Sequence, residues 1–156
     1  MKKKTIILIF TIFTVFSCKT KREIINGDLY FQIVDFTNFY GANKEQLEKL
    51  DKEVDSIRFS KMISENELEL IEYYDKLKKH KLINYPSIRI KSDTIVRLVY
   101  ITESEYEKVK DYKWSDLGTR KKKVKIKIEV QELDENIYFS DKIIDFKEID
   151  GKSYWK

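Results

Sequence analysis

The chain has 156 residues, 37% charged and 42% hydrophobic, with 31 Lys and Arg against 27 Asp and Glu, and with ten Tyr, nine Phe and two Trp. One Cys excludes an internal disulfide and a cysteine-based structural zinc site, and one His excludes a multi-His metal centre. So aromatic a chain is not a mostly disordered polymer, and its length fits one compact domain.

Lys2, Lys3 and Lys4 precede an uncharged run from Thr5 to Phe16 rich in Ile, Phe and Leu, the outline of a secretory signal peptide over residues 1–17. The run is about a dozen residues, whereas a membrane-crossing helix needs roughly 20, so it predicts no stable span by itself. Cys18 stands where the apolar run gives way to Lys19, Lys21 and Arg22. Val15-Phe16-Ser17-Cys18 resembles the lipobox of bacterial lipoproteins, and the Lys/Ile/Asn/Tyr-rich, alanine-poor composition resembles that of Bacteroidota proteins.

The resemblance implies cleavage before Cys18, acylation of that cysteine, and attachment to a membrane by several acyl chains, each buried methylene contributing about 0.8 kcal/mol. Lys19 is not the aspartate that retains lipoproteins at the inner membrane. The stretch from Cys18 to Glu23 also lacks the acidic tract resembling a surface-export signal. Together these imply an outer-membrane protein facing the periplasm. The alternative is an ordinary secretory signal followed by a buried cysteine. Removing residues 1–17 takes away three lysines and no acid, leaving 28 basic against 27 acidic residues. A chain so nearly balanced has no global field to attract nucleic acid, and no nucleic-acid partner is expected.

The segment from Cys18 to Gly27 reads as a polar, flexible tether, with the folded domain over residues 28–156. Leu29, Phe31 and Ile33 alternate with their neighbours and predict a first strand to about Phe36. Asn43 and Gln46 form a capping-box pair, and Leu47, Leu50, Val54 and Ile57 follow on one helix face. Ser64 and Glu67 repeat the signal before Leu68, Ile71, Tyr74 and Leu77, so a second helix runs to about Lys79. After Pro86 the period falls to two. Ile88 and Ile90 form one strand, Ser92-Asp93 a turn, and Thr94–Ile101 a further strand.

Residues 103–112 are open between a short helix, capped by Thr102 and Glu105, and an irregular strand. Val124, Ile126, Ile128 and Val130 alternate with Lys125, Lys127 and Glu129 as a half-exposed antiparallel strand. Leu133–Asn136 reads as a turn, Ile137–Ile149 as a returning strand interrupted near Asp141, and Asp150-Gly151 as a hairpin signal before Tyr154 and Trp155. The sum is an α+β domain: a strand, two amphipathic helices, then a mostly antiparallel curved sheet. Its element order is similar to that of cystatin-like and NTF2-like folds, a likeness that carries no function.

No catalytic constellation is visible. His80 ends a helix among lysines, where a solvated terminal histidine is expected. The acids Glu65, Glu67, Glu69 and Glu72 complement a helix N-terminus, and Glu103, Glu105 and Glu107 are undecided with their segment. Asp141, Asp145 and Glu148 lack the dense spacing of a calcium loop. Four glycines make no phosphate cradle. The basic stripe Arg120–Lys123, Lys125 and Lys127 reads either as a solvated strand edge guarded by lysines, the alternating Ile and Val giving one wet face, or as a surface for anionic headgroups.

The expectation is therefore a lipid-anchored envelope protein without cofactor, working as a non-enzymatic binding module. Its partners are the membrane, through acyl chains on Cys18, and an envelope protein or lipid. The alternative is a small-ligand carrier with an aromatic pocket that includes Tyr40, Tyr74 and Trp114. A carboxylate hydrolase requires two acids converging in a cleft.

Overall fold

The computed structural model describes residues 21–30, 39–112, 117 and 122–150. Cys18 with its lipobox, the expected continuation of the first strand to Phe36, Trp114, Arg120, Lys121 and the Gly151–Trp155 hairpin signal lie outside the described residues.

The chain runs β1 (Arg22–Tyr30), α1 (Lys44–Arg58), α2 (Glu65–Lys79), β2 (Ser87–Ser92), β3 (Ile95–Ile101), α3 (Glu103–Tyr106), β4 (Lys122–Asp134) and β5 (Ile137–Asp150). The α+β class, the element order and the largely antiparallel pairing agree with the sequence reading. Curvature goes further than an open sheet, because the strands close into a barrel in the order β1-β2-β3-β5-β4. β1 pairs with β2 on one side and with β4 on the other, and only β3 with β5 is parallel. The spatial order β4-β1-β2-β3 is that of a Greek key. A five-stranded Greek-key barrel is the architecture of OB-folds, a likeness of topology alone.

The start of the folded part is a correction to the sequence reading. Residues 22–27, read as flexible tether, belong to β1, with Arg22 opposite Gln131 and Ile25 opposite Ile128. Ile25 is buried, and the apolar alternation of β4 supplies its neighbours. Gly27 permits a close approach. A Cβ there would lie 2.6 Å from the Lys91 carbonyl oxygen and 2.7 Å from Ile90 Cγ2, so any larger residue would push β2 away.

Val124, Ile126, Ile128 and Val130 all point inward, as their alternation predicts, and meet Ile25, Leu29, Ile88, Ile90, Val99, Ile101 and Ile143. These aliphatic side chains fill the barrel. β4 and β5 turn through Glu135 and Asn136, the latter left-handed at φ 61°. Their register slips opposite Ser140 and Asp141, where an interruption was expected. At that bulge Ser140 Oγ accepts from the Lys142 N–H at 3.1 Å.

Both long helices carry the expected capping boxes, from Asn43 with Gln46 and from Ser64 with Glu67. They pack on each other through Val54, Ile71 and Tyr74. α2 lies on the outside of the barrel, its Leu77 joining Leu82, Tyr100 and Ile137 in a second cluster. Tyr73 and Tyr100 share a hydroxyl contact of 2.6 Å along that seam. α2 therefore covers the flank of the barrel over β3, β5 and the last residues of β4, with α1 packed on α2.

Candidate functional site: the uncovered basic flank of the barrel

Opposite the helices, the outward residues of β1 and β4 alternate with the core set, so the apolar pattern itself decides which side chains face out. Directly opposed residues of an antiparallel pair share a face, and Asn26 stands opposite Lys127 and Asp28 opposite Lys125. Lys91 on β2 adjoins Asp28, and Lys147 on β5 adjoins Lys125. Lys91, Lys125, Lys127 and Lys147 are exposed, as are Ile24, Asn26 and Tyr30.

Asp145 on β5 stands opposite Lys127 at one side of this row, and Asp28 is the acid at its centre. It takes Lys123 Nζ and Lys125 Nζ at 2.8 Å each. Burial alone would raise its carboxyl, yet the two lysines outweigh that and hold it below the ordinary range. Lys91 Nζ lies 5.8 Å from the centre of the Tyr30 ring, in cation–π range. Lys127 and Lys147 make no ion pair among the described residues. Lys125 and Lys147, of like charge, stand directly opposite each other, an arrangement that costs stability.

These lysines lie on the wet outer face that the Ile and Val alternation of β4 predicts. From Lys125 to Gln131 β4 is hydrogen-bonded to β1 on one side and to β5 on the other, so that stretch is not a sheet edge. The sequence showed the stripe on β4, but not the contributions of Lys91 and Lys147, which adjoin it only through register.

The other candidates are placed as follows. Tyr40 lines an open depression of about 430 Å³ together with Phe39, Leu47, Leu50, Gln46 and Glu53. Its hydroxyl donates to Glu103 Oε1 at 3.0 Å, and its ring meets Tyr106 edge-on at 5.2 Å. The Glu103 carboxylate beside it raises the Tyr40 hydroxyl above its usual value. Tyr74 does not line that depression. It is buried between α1 and α2 with its hydroxyl donating to Asp51. Tyr40 and Tyr74 thus stand in different environments, and Trp114 is outside the described residues.

His80 is not the freely solvated residue the sequence suggests. It is 19% exposed and meets Asp134 Oδ2 at 3.3 Å, an oxygen that Lys79 also reaches at 2.7 Å. Lys79, then His80 and the Glu135 N–H, hold the Asp134 carboxyl far below the ordinary range.

Residues 103–106 are helix, but Thr102 provides no side-chain cap. Glu105 turns inward instead, 8% exposed, and accepts from the Ile143 N–H at 2.8 Å and from Lys108 Nζ at 2.7 Å. Among the described residues no three His, Cys, Asp or Glu side chains are placed to hold a metal ion. No helix among them is long and apolar enough to cross a membrane. Comparison with protein-family models, with curated proteins and with solved structures finds no match to this chain.

Proposed function

We propose that the chain is a lipid-anchored cell-envelope protein whose small barrel is a non-enzymatic interaction module. Cys18 is the acylated residue, and the outer membrane, on its periplasmic face, is the compartment its lipobox implies. The observation that carries the reading is the distance from anchor to fold. β1 begins at Arg22, four residues after Cys18, so at most about 14 Å of extended chain separates the lipid from a strand that pairs with β4 from its first residue. Such a barrel is held at the membrane surface and meets its partners through its outside, since aliphatic side chains fill its inside. Labelled palmitate should enter the wild-type protein in cells and be absent from Cys18→Ser, which should leave the membrane fraction. Equal labelling of the two ends the lipoprotein reading.

The second reading, a carrier of a small ligand, has the depression beside Tyr40 in its favour. It requires Tyr40→Ala to abolish binding of the ligand that co-purifies with the wild type.

A further inference from the structure

We infer that the flank formed by β1 and β4, bordered by Lys91 on β2 and Lys147 on β5, is the surface that lies against the anionic lipid headgroups of the bilayer to which Cys18 is attached. The inference rests on the reading of Cys18 as the anchor, and adds to it an orientation and a ligand chemistry. Three observations converge on this flank.

The first is placement. α2 occupies the side of the barrel over β3, β5 and the end of β4 at Leu133, and the strand next to the anchor, β1, pairs with neither β3 nor β5. A tether of four residues cannot swing the barrel around freely, so the flank that contains β1 stays within reach of the headgroups. The second is charge. Lys91, Lys123, Lys125, Lys127 and Lys147 surround Asp28, which pairs with Lys123 and Lys125, and Asp145 stands opposite Lys127, so five lysines face two acids. A mature chain that is almost neutral overall has thus gathered a local excess of cations on one face. The third is energetic. Lys125 opposite Lys147 sets like charges side by side, and Asp28, shared between Lys123 and Lys125, offsets only part of that repulsion, so an external anion adds stability. Long lysine stems bring their ammonium groups to a common surface even from the flanking, curved strands. Tyr30 and Ile24, exposed on the same strand, suit the boundary between headgroup and acyl chain.

The test uses the full chain carrying Cys18→Ser, so that no acyl chain contributes. It is compared with the same chain also carrying Lys91→Gln, Lys127→Gln and Lys147→Gln, and with a control carrying Lys44→Gln, Lys49→Gln and Lys52→Gln on α1. The residues before Cys18 are common to all three and cancel. The probe is phosphatidylcholine vesicles with or without phosphatidylglycerol. Each lysine near an anionic surface is worth about fivefold in partition, so the flank variant should bind the anionic vesicles about a hundredfold more weakly at low salt. That difference should vanish on neutral vesicles and shrink as salt is raised. The control should stay close to the parent.

An equal fall in both variants, or in neither, overturns the inference and leaves the lysines to an acidic protein partner. Amine labelling of the acylated wild type on anionic vesicles gives a readout free of substitutions: Lys127 and Lys147 should be shielded and Lys44 and Lys49 should not, and uniform labelling refutes the orientation. Absence of palmitate with these results intact would sink the anchor reading alone. Palmitate on Cys18 with uniform labelling would sink only the orientation.

Discussion

Glu105 offers the sharpest test of how the barrel is completed. β3 pairs in parallel with β5 only through Val99, Tyr100 and Ile101, opposite Tyr138, Phe139 and Ser140. The chain then leaves β3 for α3, so β5 has no neighbouring strand on that side beyond Ser140. The Ile143 N–H would be left without a partner there, and the Glu105 carboxylate takes it at 2.8 Å while Lys108 Nζ reaches both carboxylate oxygens at 2.7 Å. Glu105→Leu removes the acceptor and leaves the amide buried, which costs about 1–3 kcal/mol. In a domain of this size that lowers the melting temperature by roughly 3–10 °C. Glu105→Gln keeps a carbonyl oxygen for the amide and gives up the attraction to Lys108, so its cost should be about 1 kcal/mol. Urea unfolding followed by far-ultraviolet circular dichroism measures both, and hydrogen exchange at the Ile143 amide reports the local effect. Leu within about 0.5 kcal/mol of wild type would refute the reasoning, because that is the scatter of ordinary surface substitutions. A Gln variant as damaged as the Leu variant would show that charge, and not the acceptor, is what matters.

Other consequences are as direct. Gly27→Ala should destabilise by about 1–3 kcal/mol in the same urea experiment, since its methyl group meets the Lys91 carbonyl at 2.6 Å and backbone cannot step aside as a flexible side chain can. Leu77→Ala, at a fully buried position between α2 and the barrel, should cost about 2–5 kcal/mol. Phe59→Ser, 82% exposed beside the 88% exposed Met62 at the tip between the helices, should change the urea midpoint hardly at all, by about 0.5 kcal/mol at most. For pH, the Asp134 carboxyl is depressed in the folded state by Lys79 and His80. The unfolded state therefore takes up its proton first, near the ordinary aspartate value of about 3.9. The stability Asp134 contributes is complete above that pH and is lost as pH falls through the lower folded value. Asp134→Asn should lower the urea midpoint at pH 7, and its difference from wild type should narrow toward pH 2.

What was legible in the sequence had local causes. Asn43 with Gln46 and Ser64 with Glu67 are complete within four residues, and both caps form. The inward set Val124, Ile126, Ile128 and Val130 follows from a period of two, which one strand carries by itself. Long-range causes were hidden. Arg22–Gly27 contains one buried side chain, Ile25, and is a strand because β4, about a hundred residues later, offers it a partner. Glu105 has the spacing of a capping residue, yet an unpaired amide on β5 is the stronger claimant for its carboxylate. His80 looked solvated because Asp134, which draws it in, arrives from the β4–β5 turn.

The same distinction governs the basic flank. A stripe of lysines on an amphipathic strand is explained by one wet face whether the strand is an edge or not, and nothing in residues 120–127 tells an edge from an interior strand. That information lies in β1, whose pairing with both β2 and β4 turns an open sheet into a closed one. Once closed, the barrel divides its outside unequally. Apolar residues at Leu98, Tyr100, Ile137 and Phe139 take the helices, and β1 with β4 takes charge. Since the helices enter between β1 and β2 and pack away from β1, the strand that leads back to Cys18 is left on the open, cationic side. On the proposed reading of Cys18 as the anchor, attachment point and charge share a flank for a topological reason, and reversing either one, by moving that anchor to the far terminus or the lysines to α1, would separate the two.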